Sequence, residues 1–172
     1  MVIFDFDQTL VDTSPVEHLR AARNWKAVMA QASKLMVYDG VHELLKELHE
    51  AGEALAIVTK SPDMVAKAFI REHKWPINIV LGYHQVRAKK PDPEGLVLAM
   101  QKAGAGPEQT CHVGDQPEDT QASRAACVVA LGSAWGLTDA SALKASAPDE
   151  MFTSVADLRT YLSARRSSGC RI

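Results

Sequence analysis

The chain has 172 residues, enough for one domain with a buried core and too few for two independent domains of usual size. Apolar residues make up 47% and charged residues 23%, which excludes a disordered chain, a collagen-like repeat and a disulfide-dense scaffold. The formal net charge of −2 argues against broad nucleic-acid binding and against charge-driven binding to acidic membranes. We find no leader pattern and no apolar run near the ~20 residues of a membrane span, so we expect a cytoplasmic protein without membrane contact.

Short apolar runs alternate along the chain with longer amphipathic stretches. The runs predict strands at 2–6, 55–58, 77–81, 110–113 and 128–131. The amphipathic stretches predict helices at 14–36 (with room for a break), from 41 to the end signal Gly52, from 62, and at 93–104, 119–126 and 155–162. This alternation is typical of an α/β protein with right-handed crossovers. We therefore predict a Rossmann-like three-layer sandwich with a five-stranded, mainly parallel sheet, formed by residues 1–164 as a single domain, and a flexible tail at 165–172.

Polar side chains cluster where the predicted strands end. They are Asp5 and Asp7 after the first strand, Thr59 after the second, Lys89 and Lys90 after the third, and Asp115 and Asp119 after the fourth. A parallel sheet brings these strand ends to one edge, where α/β proteins bind their ligands. Crowded carboxylates repel each other unless a cation is present, and oxygen ligands without a histidine or cysteine set favour Mg²⁺. A lysine and a threonine hydroxyl beside them suit a bound phosphoryl group.

These residues also carry a resemblance to the haloacid dehalogenase-like hydrolases. The segments are Asp5-Phe6-Asp7-Gln8-Thr9, Val58-Thr59, Lys90-Pro91-Asp92-Pro93 and Gly114-Asp115-Gln116-Pro117-Glu118-Asp119. They are similar, in chain order, to Asp-x-Asp-x-Thr, a strand-ending Thr or Ser, Lys-Pro-x-Pro and Gly-Asp-x-x-x-Asp of that family. Trp135-Gly136 after the fifth strand also resembles the phosphoglycolate-phosphatase-like branch. The resemblance extends from Val2 to about Leu162.

The resemblance implies an enzyme that hydrolyses a phosphate monoester through an aspartyl-phosphate intermediate. Asp5 would be the nucleophile, and Asp7 would protonate the leaving oxygen and later deprotonate the hydrolytic water. An acid at position 7 favours phosphate-ester hydrolysis over carbon–halogen cleavage, because a halide leaves without a proton.

The same resemblance implies a Mg²⁺ ion and a phosphate-binding set. Asp5, the Asp7 carbonyl and Asp115 would hold the metal, and Asp119 would support its water ligands. The phosphoryl group would be bound by Thr59, Lys60 and Lys90.

Three positions depart from the family pattern. Gln8 stands where Gly is usual, and this position calls for a backbone angle that Gly adopts easily. Lys60 replaces a frequent Asn, and Gln116 replaces a commoner Ser. None of these changes removes a catalytic group, so they bear on turnover and substrate preference.

Only 27 residues, 13–39, lie between the first motif and the helix before the second strand. A single helix of about 22 residues would be roughly 33 Å long, which is less than a full helical cap domain. We therefore predict a vestigial cap over an open site. Such a site can admit a small phosphorylated molecule or a phosphorylated macromolecule. Alternatively, a homo-oligomer shields the site, with Trp25, Val28, Leu35 and Met36 in the interface.

Two other function classes stay open at this point. One is a catalytically weak binding or scaffold protein of the same fold. The other is a non-catalytic phospho-acceptor, although the third strand carries no aspartate at its end. Among the remaining charged residues, Arg20, Arg23 and Lys26 are expected on a solvated face, and His112 is expected to be a hydrogen-bonded core or surface histidine.

Overall fold

The structure, a computed structural model, describes residues 1–167 and contains a six-stranded parallel sheet between two layers of helices. The strands are β1 (Val2–Phe4), β2 (Leu55–Val58), β3 (Ile79–Leu81), β4 (Cys111–Gly114), β5 (Val129–Ser133) and β6 (Glu150–Phe152). The helices are α1 (Glu17–Ala21), α2 (Trp25–Met29), α3 (Val41–Glu50), α4 (Asp63–His73), α5 (Glu94–Ala103), α6 (Pro117–Ala125), α7 (Ser141–Ala145) and α8 (Val155–Ser167). Short 3₁₀ turns occupy Ser14–Val16 and Pro107–Gln109.

The strand order across the sheet is β3-β2-β1-β4-β5-β6, with every neighbouring pair parallel. The order reverses between β1 and β4, so a crevice opens there beyond the carboxyl ends of the strands. Alternate residues of β1 pack on opposite faces of the sheet. Phe4 packs in the core that includes Phe69 of α4 and Leu158 of α8, whereas Ile3 packs with Leu96 of α5. Burial on both faces is what the continuous apolar runs predict for a parallel sheet.

The α/β class and the parallel sheet are confirmed, but the predicted number of five strands is wrong. The additional strand, β6, pairs with β5 at the edge of the sheet. Its residues Glu150 and Met151 are exposed, and Phe152 alone is buried. A three-residue edge strand with this composition lacks the apolar run that marked the other strands.

The predicted helix at 14–36 is divided into a 3₁₀ turn and two helices of five residues each. The break lies at residues 22–24, where Arg23 adopts a positive φ of 54°. Asn24 then caps α2, because its side chain accepts a hydrogen bond from the Ala27 amide. Helix α2 ends at Met29, and turns continue towards α3.

Several boundaries also differ from the sequence predictions, and helix α7 was not predicted. Strand β1 ends at 4 rather than 6, β3 starts at 79 rather than 77, and β5 ends at 133 rather than 131. Helix α6 starts at Pro117 rather than at 119, and α8 continues past 162 to Ser167. The first residues of the predicted flexible tail, 165–167, therefore belong to α8, while 168–172 lie outside the described residues. Within residues 1–167, no helix is both long and apolar enough to cross a bilayer.

Candidate active site

The carboxyl ends of the two central strands bring the first and fourth motifs together. Asp5 directly follows β1, and its amide donates a hydrogen bond to the Val113 carbonyl of β4. Asp115 directly follows β4, and Asp119 lies in the first turn of α6. All three carboxylates are buried. The sequence expectation that these acids meet at one edge of the sheet is therefore confirmed.

Lys90 connects the loop after β3 to this acidic group. Its ammonium lies 2.8 Å from Asp5 Oδ1 and 2.6 Å from Asp119 Oδ1, and donates to the Val58 carbonyl at 3.0 Å. Burial would lower the pKa of Lys90, but the charges of Asp119 and Asp5 outweigh it and raise that pKa. Lys90 is therefore a permanent buried cation in contact with the predicted nucleophile.

One lysine does not balance the charge of three buried acids. Oxygen atoms of Asp5, Asp115 and Asp119 all lie within 4.8 Å of one another. Burial raises the pKa of Asp5 well above its ordinary value, despite Lys90, and the other nearby carboxylates raise it further. Burial and the charge of Asp119 raise the pKa of Asp115 to about 6. An all-oxygen group with excess negative charge fits a hard divalent cation such as Mg²⁺.

Three donors hold the carboxylate of Asp7, and all of them contact the same oxygen. Ser61 Oγ donates to Oδ2 at 2.7 Å and Thr59 Oγ1 at 3.4 Å, while the Arg20 guanidinium lies 3.2 Å away. The other oxygen, Oδ1, is buried and has no hydrogen-bond partner among residues 1–167. Asp7 therefore has a fixed orientation with one oxygen available.

Two of these three donors were missed by the sequence analysis. Arg20 was expected on a solvated face, which is wrong, because its guanidinium turns inward to Asp7 and its side chain is 23% exposed. The helical spacing of Arg20, Arg23 and Lys26 could not separate an inward arginine from an outward one. Ser61 follows Thr59 by two residues, and this proximity to the second motif was its only signal.

The backbone turn after Asp7 explains two of the unusual sequence features. Gln8 has a φ of 60°, which confirms that this position requires the left-handed region, here without Gly. The Gln8 amide and the Tyr38 hydroxyl form a hydrogen bond of 2.7 Å. Trp135 Nε1 donates to the Thr9 carbonyl at 3.0 Å, and Gly136 packs so close to the Gln8 carbonyl that a Cβ would overlap with it. The Trp-Gly pair thus supports the loop that carries Asp7.

Gln116 orients both acids of the fourth motif. Its side chain donates to Asp115 Oδ2 at 2.6 Å, and its backbone amide donates to Asp119 Oδ2 at 2.9 Å in the capping box of α6. Thr9 donates to the other oxygen of Asp115 at 3.1 Å. The replacement of Ser by Gln thus adds a hydrogen bond to the acidic group.

His112 is a buried core histidine, as the sequence analysis expected. Its Nδ1 lies 2.9 Å from Ser123 Oγ, and its Nε2 lies 3.9 Å from Asp119 Oδ1. Burial lowers the pKa of His112 to about 4, so the ring is neutral at pH 7.

A cleft of about 300 Å³ adjoins this site, and Lys60 lines it together with Arg20 and Arg23. Lys60 Nζ lies 3.5 Å from Glu118 and is half-exposed, in contrast to buried Lys90. Phosphate binding by Lys60 stays a prediction.

Two of the four residues of the expected oligomer interface are not available as surface. Val28 is fully buried and Leu35 is 9% exposed, because both pack in the core of the same chain. Trp25 is partly buried, and Met36 is exposed at 56%. The interpretation of these four residues as an interface is therefore wrong for Val28 and Leu35.

The fold and the site define a doubly wound α/β protein with an acid-rich site at the point where the strand order reverses. A family model described as haloacid dehalogenase-like hydrolase matches residues 17–132. The chain belongs to this family, as its four motifs predicted.

Within the family, the chain is similar to phosphoglycolate phosphatases. It is 32% identical to the phosphoglycolate phosphatase of Pseudomonas putida over 133 residues, which cover 74% of this chain and 46% of that protein. It is also 32% identical to the pyrophosphatase PpaX of Listeria monocytogenes over 126 residues, covering 72% of this chain and 58% of that protein. The chain thus spans about half the length of the curated relatives it matches. Among solved structures, a hydrolase from Pseudomonas syringae shares the fold with a TM-score of 0.80 at 21% identity, covering 95% of this chain and 97% of that one.

Proposed function

We propose that the protein is a Mg²⁺-dependent phosphatase that hydrolyses a phosphate monoester through an aspartyl-phosphate on Asp5. The observation that carries this proposal is the ion pair between buried Lys90 and Asp5, beside two further acids and next to the oriented Asp7. A cation that contacts the nucleophile opposes the effect of burial on its pKa and offsets the charge of an approaching phosphate. The names of the relatives, a phosphoglycolate phosphatase and a pyrophosphatase, agree with phosphate hydrolysis.

The first half-reaction transfers the phosphoryl group to the enzyme. A carboxylate oxygen of Asp5 forms a bond to phosphorus while the bond from phosphorus to the ester oxygen breaks. The electron pair stays on the leaving oxygen, which takes a proton from Asp7 in its protonated form. Lys90 stays bound to Asp5 during this step, so the developing charge meets a donor that is already in place.

The second half-reaction returns the enzyme to its starting state. Asp7 accepts a proton from a water molecule, whose oxygen forms a bond to phosphorus as the bond to Asp5 breaks. The products are inorganic phosphate and the free carboxylate of Asp5, with Asp7 protonated again. Because Ser61, Thr59 and Arg20 all bind Oδ2, the free oxygen Oδ1 is the one we assign to proton transfer in both steps.

Asp5, Asp115 and, through its water ligands, Asp119 fit the metal, together with the Asp7 carbonyl that the family motif implies. A bound Mg²⁺ supplies positive charge that neutralises the acids and polarises the phosphoryl oxygens. Thr59, which follows β2, lies on the Asp7 side of this group and suits a hydrogen bond to the phosphoryl group.

The segment that covers the site is a separate part of the proposal. Residues 13–39 form short helices beside the site, and we propose that they serve as a vestigial cap that leaves the entrance open.

The test is hydrolysis of phenyl phosphate with Mg²⁺, with excess EDTA, and by the variant Asp5→Asn. We expect EDTA and Asp5→Asn each to lower the rate by at least ~10³-fold, because each removes an essential group. Asp157→Asn, at an exposed aspartate at the start of α8, serves as the matched control and should keep the wild-type rate. Acid quenching during turnover followed by mass spectrometry should find one phosphoryl group on the peptide that contains Asp5. Activity that survives both EDTA and Asp5→Asn would exclude the proposal.

A second test separates the role of Asp7 from that of Asp5. Asp7→Asn should slow hydrolysis of alkyl phosphates far more than that of 4-nitrophenyl phosphate, because nitrophenolate leaves without a proton. The rates are compared for formation of the aspartyl-phosphate in a single turnover, because the second half-reaction, in which Asp7 is the base, is common to both substrates. Equal losses in this first step would show that Asp7 does not act as the acid.

A further inference from the structure

The cleft beside the site, here called the basic cleft, is lined by Arg20, Arg23, Trp25, Lys60, Pro62 and Tyr83. Its volume of about 300 Å³ is at the lower end for small-molecule sites. It adjoins the reacting groups, because Arg20 pairs with Asp7 and Lys60 is the next residue after Thr59. A space of only about 10 Å³ borders Thr59 and Lys90 and is too small for a leaving group. The basic cleft is therefore the neighbouring space with room for a leaving group.

The charged residues that line the basic cleft are all positive. Three of its lining side chains are cations, and none of the residues that line it is an acid. Arg20 is paired with Asp7 and Glu17, and Lys60 with Glu118. Arg23 has no ion pair within residues 1–167, so its charge is available to a ligand.

Arg23 also occupies a backbone position that does not favour arginine. It directly follows the C-cap of α1, with a φ of 54°, a position at which Gly or Asn is usual. Lys74, Cys127 and Ala147 adopt the same φ region after other helices, so the observation that bears on a ligand is the place of Arg23 in the lining of the cleft.

Ring side chains form part of the walls of the basic cleft. The Tyr83 ring is 44% exposed and carries Lys89 Nζ at 3.8 Å from its centroid. Trp25 and Pro62 add two further ring surfaces. Ring surfaces of this kind bind planar groups by stacking.

We infer that the basic cleft binds the leaving group of the substrate, and that this group is planar and carries its own negative charge. The substrate class is a phosphate monoester of a single-ring aromatic or heteroaromatic alcohol that bears a carboxylate or a second phosphate. Arg23 binds the carboxylate or second phosphate of the leaving group. Arg20 contacts both this part of the substrate and Asp7, and Tyr83 stacks on the aromatic ring of the leaving group. This inference rests on the proposed phosphatase function and adds the class of substrate.

The experiment compares two isosteric substrates, 4-carboxyphenyl phosphate and 4-carbamoylphenyl phosphate, which differ in one negative charge. We expect kcat/KM of the wild-type enzyme to be about tenfold higher for the carboxylate, the size of one charge-assisted hydrogen bond. Arg23→Asn should reduce this ratio about fivefold, and Arg23→Lys should restore part of it. Asn tolerates a positive φ, so thermal denaturation should find the variant folded. Lys26→Asn, which removes an exposed cation of α2 outside the cleft, is the matched control and should leave the ratio unchanged.

The planar part of the inference is tested with Tyr83→Leu. This variant should lower kcat/KM for both aryl phosphates relative to phosphoglycolate, which has no ring. Parallel losses for all three substrates would exclude stacking on Tyr83.

Binding to the inactive variant Asp5→Asn separates the two proposals. Calorimetry should give tighter binding of 4-carboxyphenyl phosphate than of the carbamoyl analogue, and Arg23→Asn should reduce this ratio of affinities about fivefold. Hydrolysis of both substrates with no preference would exclude the inference about the basic cleft and leave the phosphatase proposal standing. Tighter binding of 4-carboxyphenyl phosphate without hydrolysis of either substrate would exclude the phosphatase proposal and leave the inference about the cleft standing.

Discussion

The substitution Asp115→Asn is expected to stabilise the metal-free protein. Burial and the charge of Asp119 raise the pKa of Asp115 from its ordinary value of 3.8 to about 6. Each pKa unit corresponds to about 1.4 kcal/mol, so an ionised Asp115 costs the folded protein about 3 kcal/mol at pH 7. Asn removes this charge, still accepts the hydrogen bond from Thr9, and allows the Gln116 amide to turn. We expect a gain of about 2–3 kcal/mol in the free energy of unfolding.

The sign follows from proton binding. A carboxyl whose pKa is raised in the folded state holds its proton longer than in the unfolded state, so stability falls as pH rises from about 4 to 6. His112, whose pKa is lowered to about 4, acts in the opposite direction, because stability is lost as pH falls below about 6.5. The two effects overlap in pH, so a pH profile of the wild-type protein would not separate them. The test therefore compares the free energy of unfolding of Asp115→Asn with that of the wild-type protein at pH 7.

The assay is urea unfolding at pH 7 in EDTA, with thermal denaturation as a second measurement. The stabilisation corresponds to a rise in Tm of roughly 4–12 °C for a chain of this size. Glu72→Gln removes a charge from an exposed position of α4 and should change the free energy of unfolding by less than about 0.5 kcal/mol. Mg²⁺ should stabilise the wild-type protein and reduce the advantage of the variant. An Asp115→Asn variant no more stable than wild type in EDTA would refute the argument that burial and the charge of Asp119 destabilise an ionised Asp115.

Two further substitutions test the supports of the site. Lys90→Met leaves two buried carboxylates without their cation and should lower the free energy of unfolding by about 3–5 kcal/mol. The control Lys89→Met, at the neighbouring lysine, should lower it by less than about 1 kcal/mol. Equal effects of the two substitutions in urea unfolding would contradict the ion-pair geometry. Gly136→Ala places a methyl group against the Gln8 carbonyl and should cost about 1–3 kcal/mol together with most of the phosphatase activity, because the loop that holds the acid must move. Gly52→Ala, with no atom within 4 Å of the new Cβ, should cost about 1 kcal/mol and keep the activity, as thermal denaturation and phenyl phosphate hydrolysis would report.

The acidic centre of the site was predictable because it follows directly from strand ends. Asp5 and Asp115 are fixed to adjacent parallel strands, so their proximity depends only on the topology. Lys90 was predictable through the motif around it. The position of Gln8 in the left-handed region could also be inferred, since the family pattern has Gly there.

What the sequence did not predict depends on tertiary contacts of short or amphipathic segments. Strand β6 has one buried residue, so its sequence lacks the apolar run that predicts a strand. Arg20 could face solvent or the site from the same helix pattern, and its ion pair with Asp7 is a tertiary contact that the pattern does not contain. Val28 and Leu35 fit an interface as well as a core, because an apolar side chain is buried equally well by its own chain or by a partner.

The basic cleft and the acidic centre are built from different parts of the chain. Lys90 ties Asp5, Asp119 and the end of β2 together at the middle of the sheet, where any change disturbs several strands at once. The turn at 22–24, in contrast, is a short connection between two five-residue helices on the outside of the fold. Reaction and selectivity are thus separable: replacing that turn by another of equal length offers a route to new leaving-group preferences on an unaltered catalytic core. A library confined to residues 21–25, which leaves Arg20 and its ion pair with Asp7 in place, would be the economical starting point for redesign.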